Sequence, residues 1–143
     1  MNAFPVIHGF TFRVSPEQYA SDVRAARSLV DELTPEARLA GPSSAYWPEL
    51  GEVPQFYESF MPLGGAALDV ITWHYYPQQS RRCGLRARPA SAELMQDPNA
   101  LDEVRKWAET VESAAQAHAP GAPVWLGETG NAQCGGEPGV SDS

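Results

Sequence analysis

A carboxylate at the end of an apolar run is the group in this sequence best suited to chemistry. In the stretch VWLGETGNAQCGG, residues 124–136, Glu128 closes the apolar run and a glycine-rich loop follows. A second apolar run ends in WHYY, residues 73–76, which supplies an imidazole and three aromatic rings. A carboxylate can act as acid, base or nucleophile, and aromatic rings stack on the apolar faces of sugars. The pattern is typical of a carbohydrate site.

Each of these residues also has a structural alternative. Glu128 can be a solvated loop charge, His74 a packed residue at a strand end, and the neighbouring rings part of the core. None of these three alternatives is excluded by residue type alone.

The elements that must position these residues alternate between helices and strands. The predicted order is a helix from Ser15-Pro16 to Leu33, a strand from Ala37 to Pro42, a helix within residues 53–65, a strand from Leu68 to Pro77, a helix after Asp97-Pro98 and a strand from Pro123 to Gly127. Residues 78–96 are predicted as a loop.

Continuously apolar strands indicate a parallel sheet covered by helices, an α/β fold. The carboxyl ends of such strands share one edge, where ligands bind. We therefore expect Glu128, His74 and Tyr76 to converge.

Composition narrows the class of protein. The chain has 143 residues and a net charge of −8, which argues against nucleic acid as a partner. No apolar run is long enough to span a membrane. The first residues, MNAFPVIHGFTF, lack the basic head and apolar middle of a signal peptide, so no secretory route is predicted. Four arginines in residues 81–88 form either a local anion-binding patch or a solvated loop.

The cysteines and histidines leave one question open. Cys83 and Cys134 both follow apolar strands, and they either pair or remain two free thiols. His8, His74 and His118 are too scattered for a metal site. No metal and no cofactor are predicted.

The blocks DVITWHYY, PVWLGETGNAQCGG and GVSDS resemble the heparanase-like glycoside hydrolases of family 79. The resemblance implies a retaining hydrolase on a (β/α)8 TIM barrel, acting on β-linked glucuronic acid or an acidic glycosaminoglycan-type carbohydrate. It identifies the three strands with about strands five to seven, in the C-terminal part of the catalytic barrel. Residues 1–143 would then be a fragment of that catalytic domain.

The resemblance also assigns roles to residues. Glu128 corresponds to the nucleophile, while His74 and Tyr76 line the site. Arg81 falls near an arginine that contacts anionic sugar. Backbone N–H groups at Cys134 and Gly135 correspond to those that bind the uronate carboxylate, although Cys134 replaces a glycine of heparanases.

Two departures from the family pattern affect function. Tyr46 and Pro48, in SSAYWPEL, stand about where heparanases carry a glutamine and an arginine, which puts recognition of a heparan-type chain in doubt. The acid/base of the family lies in an Asn-Glu motif that ends just before the stretch resembling NAFPVIHGF, so we expect it upstream of Met1 and expect the chain alone to be inactive.

No location is predicted for this chain, whereas the family is secreted, periplasmic, lysosomal or membrane-associated. Two alternatives remain: a non-catalytic module that binds acidic glycans, and a redox protein using the two cysteines.

Overall fold

The computed structural model describes residues 13–52 and 55–141, and its first element is helix α1, Pro16–Leu33. Ser15 Oγ accepts the backbone N–H of Gln18 at 3.2 Å, which satisfies one of the free donors of the first turn. Pro16 suits the first helical position because no intrahelical N–H is needed there. The predicted bounds of this helix are confirmed.

Three strands form one parallel sheet. They are β1 (Ala40–Tyr46), β2 (Val70–Tyr75) and β3 (Val124–Thr129), hydrogen-bonded in the order β1-β2-β3. Helix α2 (Phe56–Gly64) and a 3-10 turn (Gly65–Ala67) connect β1 to β2, and helices α3 (Ala92–Gln96), α4 (Pro98–Asp102) and α5 (Val104–His118) connect β2 to β3. This mixed α/β arrangement is compatible with part of a TIM barrel. All three carboxyl ends lie at the same edge of the sheet.

Each outer strand has one residue more than the part of β2 that it pairs with. In β1, Pro42 pairs with Thr72 and Ser44 with Trp73, so Ser43 has no opposite residue. In β3, Leu126 pairs with Trp73 and Glu128 with His74, so Gly127 is the extra residue. The second shift brings Glu128 directly opposite His74.

The core lies on one face of the sheet. Successive side chains of a strand point to opposite faces, and Ile71, Trp73 and Tyr75 of β2 are buried under the helices. Tyr57 and Phe60 of α2 are fully buried in the same cluster. The Tyr57 hydroxyl donates to the Val111 carbonyl of α5 at 2.9 Å, so this buried phenol is satisfied. Thr72 and His74 occupy the opposite face of β2.

The prediction for the first strand was wrong at both ends. Gly41-Pro42 was expected to stop the strand, but β1 continues through a cis peptide at this pair to Tyr46. Proline is tolerated because β1 is an edge strand of the described sheet and only one of its sides needs donors. The carboxyl end of β1 is therefore at Tyr46, beyond the predicted Pro42.

The segment between β2 and β3 has more helices than predicted. Helix α3 lies inside the predicted loop 78–96, and Ser91 Oγ caps it by accepting the N–H of Leu94 at 3.2 Å. The single helix predicted after Asp97 is divided at Glu103 into α4 and α5. Leu101, in α4, is exposed.

Some predictions fall outside the described residues. These are the stretch resembling NAFPVIHGF, His8, and the last two residues of GVSDS. Within the described ranges, none of the helices combines the length and the apolar character that a membrane crossing requires.

Candidate active site

The structure brings Glu128, Tyr76 and His74 together at the carboxyl edge of the sheet. The Tyr76 hydroxyl donates to Oε1 of Glu128 at 2.5 Å. Nδ1 of His74 lies 3.2 Å from Oε2 of the same carboxylate. Each carboxylate oxygen therefore has one partner among the described residues, and the Glu128 side chain is 55% exposed there. A group held in this way is both oriented and accessible to a ligand.

The backbone of β2 and β3 sets this geometry. Glu128 is paired with His74 in the ladder, so the two side chains stand on the same face. One position further, Thr129 Oγ1 donates to the Tyr75 carbonyl at 2.8 Å and fastens the ends of the two strands. The predicted strand ended at Gly127 and left Glu128 beyond it. In the structure, β3 continues to Thr129, so Glu128 lies within the strand.

Burial favours the neutral form of both partners of Glu128. Loss of hydration, followed by the hydrogen bond and charge of Glu128, raises the pKa of Tyr76 to about 12. The Tyr76 phenol therefore remains a donor. Loss of hydration also lowers the pKa of His74, and the nearby Glu128 charge opposes this shift only in part. Neutral imidazole can still donate one ring N–H to the carboxylate.

The loop after β3, residues 130–136, has an unusual backbone, and we call it the glycine loop. Cys134, Gly135 and Gly136 all have positive φ, at 66°, 78° and 78°. Within the described part of the chain, the backbone N–H groups of Cys134 and Gly135 donate to no acceptor, whereas that of Gly136 donates to the Ala132 carbonyl at 3.3 Å. Two neighbouring N–H groups are thus available to a ligand at the positions assigned from the resemblance.

The open question about the cysteines is answered by a disulfide. Cys83, in the loop after β2, is joined to Cys134, in the glycine loop, with a Cα–Cα distance of 5.5 Å. The bond closes a chain separation of 51 residues. It ties two strand-end loops together, which gives it a structural role, and the redox alternative stays a hypothesis.

Arg81 is not in contact with Glu128, His74 or Tyr76. Its Nε pairs with Oε1 of Glu137, and its backbone N–H donates to Oε2 of Glu137 at 2.8 Å. The Arg81 side chain is nevertheless largely exposed. A role in binding anionic sugar stays a prediction.

Two glutamines at the same edge were not identified from the sequence. Gln133 accepts the indole N–H of Trp47 at 2.8 Å, and its backbone N–H donates to the Gln78 carbonyl at 3.0 Å. The Gln78 side chain accepts the backbone N–H of Ser91 at 2.8 Å. Gln133 thus joins the loops that follow all three strands. The only sequence signal was that Gln78 directly follows a predicted strand and that Gln133 lies in the glycine loop.

Metal binding finds no support among the described residues. In the ranges 13–52 and 55–141, no three His, Cys, Asp or Glu side chains are grouped to hold an ion. The expectation that no metal is used stays a prediction.

Comparison with known proteins gives a family match over nearly the whole chain. The sequence model of glycosyl hydrolase family 79, N-terminal domain, matches residues 6–143. The matching domain is described as N-terminal, so the placement of the chain in the C-terminal part of the barrel stays a prediction.

Individual relatives point to the same group. The chain is 39% identical to heparanase of Gallus gallus over 85 residues, which is 59% of this chain and 15% of that protein. Identity to heparanase of Rattus norvegicus is 31% over 102 residues, 68% of this chain and 18% of that protein. Identity to heparanase-like protein 1 of Arabidopsis thaliana is 29% over 131 residues, 91% of this chain and 23% of that protein. The chain spans less than a quarter of the length of each of these relatives.

Proposed function

The chain belongs to glycosyl hydrolase family 79, and from this premise we propose that it is part of a retaining glycosidase for β-linked glucuronic acid in which Glu128 is the nucleophile. One observation carries the proposal. Both oxygens of an exposed strand-end carboxylate are held by side chains at the carboxyl end of β2, at 2.5 Å from Tyr76, which follows the strand, and at 3.2 Å from His74. Such fixing is what a nucleophile needs in order to meet an anomeric carbon in one orientation.

The proposed reaction has two steps. A carboxylate oxygen of Glu128 attacks the anomeric carbon, the bond from that carbon to the glycosidic oxygen breaks, and the leaving oxygen takes the electron pair and a proton from a general acid. Water then attacks the same carbon, and the ester bond to Glu128 breaks. The water proton passes to the residue that was the general acid in the first step and that now acts as a base. Tyr76 and His74 hold Glu128 in place in both steps.

We assign recognition of the uronate carboxylate to the glycine loop. The backbone N–H groups of Cys134 and Gly135 are available, as described above, and hydrogen bonds from N–H groups to a carboxylate are among the stronger ones. The exposed guanidinium of Arg81 is proposed to add contacts to an acidic sugar, such as a glucuronide or a glycosaminoglycan-type chain. A neutral sugar gains neither interaction.

We further propose that β1, β2 and β3 correspond to strands five, six and seven of a (β/α)8 barrel. Residues 1–143 then form a fragment of the catalytic domain. Support comes from three parallel strands that neighbour one another in chain order and from the exposed apolar side chains Trp125 and Leu126 of β3.

We expect the 143-residue chain on its own to be inactive. A retaining glycosidase needs a second carboxyl group about 5.5 Å from the nucleophile. Among the described residues, the hydrogen-bonding and ionic partners of Glu128 are a phenol and an imidazole, and neither is a carboxyl group. Loss of general acid/base help costs roughly 10²–10⁴-fold in rate.

The test of the nucleophile uses a sugar whose leaving group needs no proton. Incubation with 2-deoxy-2-fluoro-β-glucuronyl fluoride allows attack by the carboxylate with loss of fluoride, because fluoride leaves without a general acid. We expect mass spectrometry of peptides to place the sugar on Glu128, with no label in Glu128→Gln and normal labelling in Glu112→Gln, an exposed carboxylate of α5. Labelling of another residue, or equal labelling of Glu128→Gln, contradicts the assignment.

Turnover separates the proposal from its main alternative. Release of nitrophenol from nitrophenyl β-glucuronide by the chain alone, lost in Glu128→Gln, would disprove the expected inactivity. Calorimetry with glucuronate oligomers addresses a non-catalytic module, which the two available N–H groups of the glycine loop favour. Binding without labelling of Glu128 supports that module, and labelling supports the glycosidase.

A further inference from the structure

Two successive residues of the loop after β2 hold three successive residues of the glycine loop. Nη1 of Arg82 donates to the carbonyl of Gly135 at 2.6 Å and to that of Gly136 at 3.2 Å. The next residue, Cys83, forms the disulfide with Cys134. We call Arg82 and this disulfide the loop clamp.

We infer that Arg82 is a positioning residue that, with the disulfide, fixes the glycine loop in the conformation that binds the carboxylate of a uronic acid. The inference rests on the proposed function, because it assigns the carboxylate to the N–H groups of Cys134 and Gly135. Arg82 acts through the loop backbone and needs no contact with the sugar.

A hydrogen bond of the loop determines where the free N–H group of Cys134 points. The Gln133 carbonyl accepts the backbone N–H of Ser80 at 3.3 Å, and the carbonyl and N–H of one peptide unit point in opposite directions. The N–H of Cys134, which shares that peptide unit, is therefore directed away from the loop after β2. Arg82 holds the carbonyls of Gly135 and Gly136, which belong to the two peptide units after the one that carries the Gly135 N–H. The peptide unit of the Gly135 N–H therefore lies between units whose carbonyls are fixed on both sides.

The conformation needs external support because of Cys134. A residue with a Cβ atom disfavours the left-handed region, yet Cys134 has a φ of 66°. Its side chain is bonded to Cys83, and the two carbonyls that follow are bonded to Arg82. Flexible glycines alone would leave Gly135 and Gly136 free to sample both signs of φ, so the clamp selects one conformation among several.

The charge of Arg82 serves the same end. A guanidinium bound to carbonyl oxygens adds positive charge to a loop that is to receive an anion, in a chain whose net charge is −8. Arg86, in the same loop and exposed, carries an equal charge without a bond to the glycine loop. Comparison of the two arginines separates the clamp from simple electrostatic attraction.

The experiment measures deuterium uptake of the peptide covering the glycine loop in the full chain, by mass spectrometry. Probes are methyl β-D-glucuronide and the uncharged methyl β-D-glucoside. In the wild-type chain, we expect glucuronide to slow the uptake and glucoside to leave it unchanged. In Arg82→Met, the loop should exchange faster without ligand. If the binding conformation falls to about a tenth of the population, the apparent affinity for glucuronide falls about tenfold.

Three further variants make the result specific. Arg86→Met should keep glucuronide affinity within about twofold. Its charge is exposed and screened by salt, so by itself it contributes little to binding. Arg82→Lys should lie between wild type and Arg82→Met, because an ammonium keeps the charge but not the planar fork. The double variant Cys83→Ser/Cys134→Ser should repeat the faster exchange. Unchanged uptake in the β2 peptide shows that each variant is folded.

The outcomes distinguish the clamp from the proposed function. Unchanged loop uptake in Arg82→Met, or equal losses of affinity in Arg82→Met and Arg86→Met, overturns the clamp. If the wild-type chain binds no glucuronide, the proposed function fails, and the uptake without ligand still decides whether Arg82 holds the loop.

Discussion

At the scale of single residues, the candidate site pairs one carboxylate with two neutral donors. Tyr76 and His74 each hold one oxygen of Glu128, and burial favours the uncharged form of both. A cationic partner would stabilise the carboxylate charge more strongly and so make it a weaker nucleophile. Neutral donors orient the carboxylate and lower its nucleophilicity less than a cation would.

The His74 pKa provides a test of this arrangement. We expect it below the ordinary value of about 6.5 in the wild-type chain, because burial disfavours the imidazolium. In Glu128→Gln it should fall further, since the charge that opposes the shift is gone. Proton NMR of the imidazole during a pH titration measures both values, with His74→Gln to assign the signal.

The sign of the linked effect on stability follows from the same shift. The pKa of His74 is lower in the folded chain than in the unfolded chain. Its contribution to the free energy of unfolding is therefore fully present above the unfolded pKa and is lost as pH falls through the folded pKa.

Glu112→Gln serves as the matched control for the titration and should leave the His74 pKa unchanged. A His74 pKa that rises in Glu128→Gln contradicts the described contact.

Sequence alone brought the three candidate residues to one edge because each lies at or near the end of a continuous apolar run. It did not locate the clamp. Arg82 and Cys83 lie in an irregular loop, whose path depends on long-range bonds such as that from Ser80 to Gln133. No local pattern distinguishes Arg82 from Arg81 or Arg86.

At the scale of elements, α1 and α2 approach closely at Gly64. A Cβ built on Gly64 would lie 2.4 Å from Cε2 of Phe60 and 3.1 Å from Cβ of Ala20. Both neighbours are 0% exposed, so neither can move aside without disturbing the core. Glycine at this position is what permits the two helices to pack.

Gly64→Ala should therefore lower the free energy of unfolding by about 1–3 kcal/mol, the usual cost of overpacking a core. Gly84→Ala is the matched control, since its Cβ meets nothing within 4 Å. That variant should stay within about 0.5 kcal/mol of wild type. Urea unfolding at low protein concentration measures both. An equal effect of the two variants would contradict the close approach.

The elements differed in how well sequence predicted them. Helix α1 was predicted to the residue because Ser15 and Pro16 mark its start by local chemistry. β1 was misplaced because Gly41-Pro42 reads locally as a stop, whereas pairing with β2 carries the strand to Tyr46. Tertiary pairing overrides a local signal in such cases.

At the scale of the whole molecule, β3 leaves apolar side chains exposed on both of its faces. Trp125 is 53% exposed and Leu126 is 40% exposed, and alternation places them on opposite faces of the sheet. A strand edge with apolar neighbours favours association with other chains.

We expect the chain to self-associate at tens of micromolar, because association buries these side chains. Trp125→Gln should reduce the mean mass measured by light scattering. Leu33→Gln, at a 72% exposed position of α1, should leave it unchanged. A monodisperse wild-type monomer at that concentration would count against the prediction.

The extra residue in β3 makes the candidate site depend on strand pairing as well as on composition. In an unbroken ladder, Gly127 would stand opposite His74 and Glu128 opposite Tyr75, whose side chain lies in the core. Regular pairing of Gly127 would thus turn the carboxylate towards the helices, although the residues 127–129 are unchanged. A relative that keeps these residues but pairs Gly127 regularly would align well and still lack the carboxylate on the open side.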